Sequence, residues 1–155
     1  MRLDRRWIAA RIPHTGGMCL LDEVIDWNTE RICCRSGTHR HPDNPLRADG
    51  RLGAACAVEY AAQAAAVHGS LTRPASEGTP DSRSFALLAS VRDLQLRVAW
   101  LDDVEENLIC EATLIAGDPS ARQYAFTVCR EGESAALAAG RFTIMTGTRA
   151  CAERA

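Results

Sequence analysis

Gly53-Ala54-Ala55-Cys56-Ala57-Val58-Glu59-Tyr60-Ala61-Ala62-Gln63-Ala64-Ala65-Ala66-Val67-His68 is the stretch whose reading decides the fold. It lacks proline, is mostly alanine, and runs into Gly69, a residue type that commonly stops helices. A helix of about fifteen residues after Gly53 would span roughly 22 Å, close to the thickness of a small domain. Nearly every face is apolar, so the helix is expected inside the protein. Glu59 is out of place on it, and Gln63, four residues on, shares its face. A carboxyl group there needs polar partners, a raised pKa, or both. A satisfied polar residue or a partly exposed helix edge is the bland alternative.

The rest of the composition sets limits. A chain of 155 residues fits one domain with a sizeable core, here taken as 1–155. Hydrophobic residues at 46% and charged residues at 25% are ordinary for a soluble globular protein. A net charge of −2 argues against a nucleic-acid partner, which calls for a basic excess. No apolar run approaches the roughly 20 residues that cross a bilayer. Met1-Arg2-Leu3-Asp4-Arg5-Arg6-Trp7 is too charged for a signal peptide, so a cytoplasmic location is the default expectation. Seven scattered cysteines, odd in number and without a Cys-x-x-Cys, suggest neither a disulfide framework nor a metal site. All 18 basic residues are arginine, which removes a Schiff-base lysine and a Walker-type phosphate loop. No cofactor is called for.

In chain order, residues 4–11 suit a short N-terminal helical segment (1–11 overall) with Asp4 as N-cap. Residues 20–27 and 31–39 read as paired strands around an Asn28-Thr29-Glu30 turn. A polar loop over 40–51 delivers the chain to the central helix, and a second loop, expected to be mobile, covers 70–83. Only strands follow: 85–100 with an interruption near Arg92-Asp93, then 104–116, 122–130 and 134–145, before a frayed tail over 146–155. Two strands, one buried helix and a run of antiparallel strands predict an α+β hotdog fold, a curved sheet wrapped around one helix.

Ile12-Pro13-His14-Thr15-Gly16-Gly17-Met18-Cys19-Leu20-Leu21-Asp22-Glu23-Val24 resembles the N-terminal signature of β-hydroxyacyl-(acyl carrier protein) dehydratases: Leu-Pro-His, an apolar run, then Asp-Arg-Val. Val58-Glu59-Tyr60-Ala61-Ala62-Gln63 resembles their central-helix motif, and the likeness spans roughly 12–145. The Asn-Pro-Leu-Arg loop looks closest to a divergent branch associated with aryl-polyene or polyketide-like pathways. The resemblance implies dehydration of 3-hydroxyacyl thioesters on an acyl carrier protein, giving trans-2-enoyl products. It also implies a dimer, homomeric or with another hotdog subunit, whose sites draw residues from both chains.

The family's helix acid maps onto Glu59. Its Gly-His-Phe-Pro-Gly loop is missing here; His39 is preferred as the histidine, with His41 as the alternative. A histidine suits removal of the C2 proton, and a buried carboxyl with a raised pKa suits protonation of the leaving hydroxide. Free N–H groups around Gly53 and Ala54 would stabilise the enolate oxygen, and Gln63 would orient the carboxyl or a water. Arg40, Arg47 and Arg51 either dock an acidic carrier and its phosphopantetheine phosphate or are solvated loop charges. His14 is expected to be structural, His68 a helix C-terminal residue, the 102–106 acidic cluster a solvated turn, and Cys56 a core thiol. A hotdog thioesterase and a non-catalytic partner subunit remain the competing readings.

Overall fold

The alanine-rich stretch does form the central helix, with its onset and its end both displaced. In the computed structural model, which describes residues 3–14, 16–74 and 84–148, a 3-10 turn over Ala54–Cys56 leads into helix α2, Ala57–Leu71. Helix α1 is Arg5–Ala9, capped as expected by the Asp4 carboxylate accepting from the Trp7 amide at 3.0 Å. The strands are β1 Glu23–Trp27, β2 Arg31–Ser36, β3 Ser84–Leu96, β4 Leu108–Asp118, β5 Ala121–Arg130 and β6 Ala136–Thr148. They form one antiparallel sheet in the order β1-β2-β4-β5-β6-β3.

Alternation builds the sheet's inner face. Leu108, Cys110 and Ala112 of β4 and Tyr124, Phe126 and Val128 of β5 are buried, as are Ala138, Phe142 and Ile144 of β6. Their period of two puts them on the side that α2 covers. Gly140 stands between Ala138 and Phe142 on that face. A Cβ there would come within 3.1 Å of the Phe126 ring, so glycine leaves room for Phe126 to stack on Phe142 at 5.3 Å. The helix answers with small residues: Ala57, Ala61 and Ala64 are fully buried, which lets the backbone approach the sheet closely. This is the hotdog arrangement.

Several expected boundaries shift for identifiable reasons. Gly69 does not stop α2. Helical geometry persists to Leu71, and Thr72 ends it, its amide and hydroxyl both donating to the His68 carbonyl. Residues 70 and 71 therefore belong to the helix rather than the loop, while 75–83 of that loop lie outside the described residues. The tail expected from 146 is strand as far as Thr148, and 149–155 lie outside the described residues. Residues 20–22 precede β1 instead of opening it. The interruption expected near Arg92-Asp93 is present: Asp93 takes φ 52° and the β3–β6 register slips between Arg92 and Gln95.

Among the described residues no helix is long and apolar enough to cross a membrane. The six described cysteines are free thiols, and burial pushes those of Cys34 and Cys110 up.

Candidate active site

Helix α2 is buried on most of its circumference, and Cys56, Glu59, Ala62 and Ala66, spaced three and four apart, form its half-buried stripe. Glu59 is thus the one acid on the one side of the helix that keeps some contact with solvent, with 29% of its side chain exposed. Two donors converge on its Oε1: Gln63 Nε2 at 3.0 Å and His14 Nε2 at 3.0 Å. Burial pushes the Glu59 carboxyl up, but the hydrogen bonds from His14 and Gln63, with the His14 charge, outweigh it and hold the group below its ordinary 4.5. The raised value expected from an apolar helix is thereby corrected. His14, from a segment 45 residues away, and Gln63, one turn on in the same helix, solvate the charge.

Gln63 explains how that segment is held. Its Nε2 also donates to the Met18 carbonyl at 2.7 Å, and its Oε1 accepts from the Leu20 amide at 2.9 Å. One fully buried amide therefore pins the 3-10 turn Gly16–Met18 and the following residues to α2. Buried Ile8, Ile12, Cys19, Leu20 and Leu21 anchor the same segment in the core. His14, expected to be structural, lies between these anchors, 29% exposed, with its Nε2 on the Glu59 carboxylate.

His39 lies elsewhere. Strand β2 ends at Ser36, and the histidine sits in a 3-10 turn, Thr38–Arg40, fully buried. Its Nε2 donates to the Val104 carbonyl at 3.0 Å, and Nδ1 has no partner among the described residues. Burial pushes the ring below its ordinary 6.5, so it is held neutral, with Nδ1 as its basic nitrogen. His41, the alternative, is exposed. The turn is fixed by a polar cluster: Tyr60 donates to Thr38 Oγ1 at 2.9 Å, Asn44 Nδ2 donates to Tyr60 Oη and to the Thr38 carbonyl at 3.0 Å each, and Thr38 donates to the Leu20 carbonyl. Burial pushes the Tyr60 hydroxyl up to about 12.

The loop arginines do not stand free at an entrance. Arg47 donates to the His41 carbonyl at 2.9 Å, the Gly50 carbonyl at 2.8 Å and the His39 carbonyl at 3.3 Å, and pairs with Asp102. Arg51 pairs with Asp102 at 2.8 Å and Asp103 at 2.7 Å, and lies over the Trp100 ring. Arg40 reaches the Glu105 carbonyl and Asn107. Asp102 is therefore a hub rather than a solvated turn; its Oδ1 also accepts from the Leu52 amide at 3.0 Å.

The Ala54 amide, expected to be a free donor, is used. It donates to the Ala99 carbonyl at 3.0 Å in the bridge between Gly53 and Trp100. His68, expected to sit over the helix terminus, is instead fully buried, with Nδ1 on Tyr124 Oη at 3.0 Å and Nε2 on the Asn28 carbonyl at 2.9 Å.

Comparison with known proteins places the chain and its fold. The family model described as ApeP-like, ApeP dehydratase, matches residues 7–152. Among solved structures, the dehydratase heterocomplex ApeI:P from Xenorhabdus doucetiae superposes with a TM-score of 0.77 at 23% identity, covering 92% of this chain and 91% of that one. A thioesterase family protein from Silicibacter pomeroyi gives 0.59 at 15% identity over 94% and 96% of the two chains. A mutant thioesterase from Pseudomonas aeruginosa gives 0.56 at 12% identity over 82% and 81%. No curated protein sequence matches the chain. The structural likenesses establish the hotdog fold.

Proposed function

Because the chain belongs to the ApeP-like dehydratase family, we propose that it dehydrates 3-hydroxyacyl thioesters carried on an acyl carrier protein, yielding trans-2-enoyl thioesters. The observation that carries this reading is the half-buried Glu59 carboxylate, clamped on the open stripe of α2 by His14 and Gln63. Elimination removes the C2 proton and expels the C3 hydroxyl as water. His39, neutral and with Nδ1 unprotonated, is the proposed base; it takes the C2 proton and returns it to the departing hydroxyl as the C2–C3 double bond forms and the C3–O bond breaks. Glu59, ionised, accepts the hydrogen bond of the C3 hydroxyl and holds it for departure. Gly53 remains a proposed donor to the thioester oxygen, and Arg51, 39% exposed against 15% for Arg47, a proposed contact to a carrier phosphate.

A site assembled with a second hotdog subunit is part of the proposal. Edge strand β3 exposes Leu87, Leu88, Val91, Leu94 and Leu96, an apolar row that a neighbouring chain would cover. The related structure being a heterocomplex supports such a partner. One observation favours a second reading, a non-catalytic partner subunit: His39 is sealed within the chain, with no exposed surface.

The test is mass spectrometry of a 3-hydroxyacyl carrier protein incubated with the chain, alone and with a hotdog partner. Loss of about 18 Da, the mass of one water, that disappears with Glu59→Gln and His39→Ala supports the enzyme. Release of the free acid supports a thioesterase. Unchanged turnover of the pair carrying both substitutions supports the partner reading.

A further inference from the structure

We propose that His14 is a positioning residue of the Glu59 site: its Nε2–H fixes the carboxylate and keeps it in the ionised form that meets substrate. This rests on the reading of Glu59 as the reacting carboxyl, and it adds a group that the altered histidine loop does not supply.

Three observations carry it. The bond from His14 Nε2 to Glu59 Oε1 is 3.0 Å long and joins two side chains that are each 29% exposed, so the pair is neither sealed in the core nor free in solvent. The same Oε1 takes the Gln63 amide, so both bonds among the described residues fall on one oxygen. A carboxylate held by donors on Oε1 has its torsion fixed, and its second oxygen is defined in direction. Finally, His14 differs from the structural histidine of this fold. His68 has both ring nitrogens bonded and no exposure, whereas His14 uses one nitrogen, and its Nδ1 has no partner among the described residues.

Gln63 completes the arrangement. It holds Met18 and Leu20 to α2 and thereby sets where the preceding His14 can reach. The groups facing the carboxyl are few. Among the described residues they are His14 from the N-terminal segment and, from the helix itself, Gln63 and the Cys56 thiol one turn back. His14 is the one of these that can bring positive charge, and the lowered titration of Glu59 agrees with its presence.

The test uses the full chain labelled with 13C at glutamate side-chain carboxyls, with the Glu59 resonance assigned by its loss in Glu59→Gln. In His14→Ala the Glu59 titration midpoint is expected to move upward. In His14→Gln, which keeps an N–H donor without the charge, it should lie between the two. Dehydration by His14→Ala, with the partner present, should fall about ten- to a hundredfold in kcat with little change in KM, and His14→Gln should restore part of it. An unchanged Glu59 midpoint in a folded His14→Ala overturns the inference, whatever the activity. A shifted midpoint in a protein with no dehydratase activity leaves the pairing intact and overturns the functional reading instead.

Discussion

His14 and His39 are both bonded through Nε2 at 3.0 Å, yet to acceptors of different kinds. The acceptor of His14 is a carboxylate, which titrates; that of His39 is the Val104 carbonyl, which does not. A hydrogen bond onto a carboxylate favours its ionised form, in keeping with the lowered Glu59 value. A bond to a main-chain carbonyl only fixes the ring and its tautomer. Burial sharpens the contrast: His39 has no exposed surface and holds a turn together, while His14 rests against the open stripe of α2. His39, the proposed base, thus also anchors a turn of the chain, while His14 bears on the state of the central acid.

The comparison can be broken most forcefully at Glu59. Glu59→Gln keeps a neutral acceptor in place but removes the charge, and carrier-bound turnover measured by mass spectrometry should fall about 100-fold or more with the fold retained. If turnover survives, the reacting group lies off α2 and the contrast loses its functional half. Next in size is the stability effect of His39→Ala. It empties a fully buried site and orphans the Val104 carbonyl, so denaturant unfolding should show a loss of about 2–3 kcal/mol. His14→Ala, at a partly exposed position, should cost less than about 1 kcal/mol in the same measurement. Equal losses would erase the distinction.

A pH series sharpens it further. His39 and His68 are both held below 6.5 by burial, so the unfolded chain binds protons more readily than the fold does. Their contribution is fully present above pH 6.5 and is lost as pH falls through the lower folded values. The melting temperature should therefore decline below pH 6.5, and less steeply in a folded His39 or His68 variant. Asp102→Asn loosens Arg47 and Arg51 and should cost a modest amount, about 1 kcal/mol, by the same unfolding measurement.

Much of the fold was legible because it follows from periodicity. An alanine-rich run had to be buried, alternating strands had to pair, and Asp93 marked the slip in β3. Glu59 and Gln63 were legible as the two polar residues sharing a face of an apolar helix. His14 was not, because its partner lies 45 residues away and its local setting, after Pro13 and before two glycines, reads as a turn. His68 misled for the opposite reason. Its place near a helix end invoked the dipole, whereas a 3.6-residue period points it inward at Tyr124 and Asn28. Asp102 looked like one of several acids in a solvated cluster, since nothing local signals that two arginines and an amide will close on it.

The two borders of the sheet are unequal. Strand β1 is five residues long, and the N-terminal segment is already bonded to its start, through Val24 N to the Leu3 carbonyl and the bridge of Asp4 to Glu23. Strand β3 runs thirteen residues and, around polar Ser90, Arg92, Asp93 and Gln95, exposes Leu87, Leu88, Val91, Leu94 and Leu96. A sheet with one long receptive border and one short, blunted one can be extended by a neighbour on one side only. The hotdog partner proposed above, seated along β3, would leave only the short blunted borders exposed, and such borders disfavour further edge-to-edge addition.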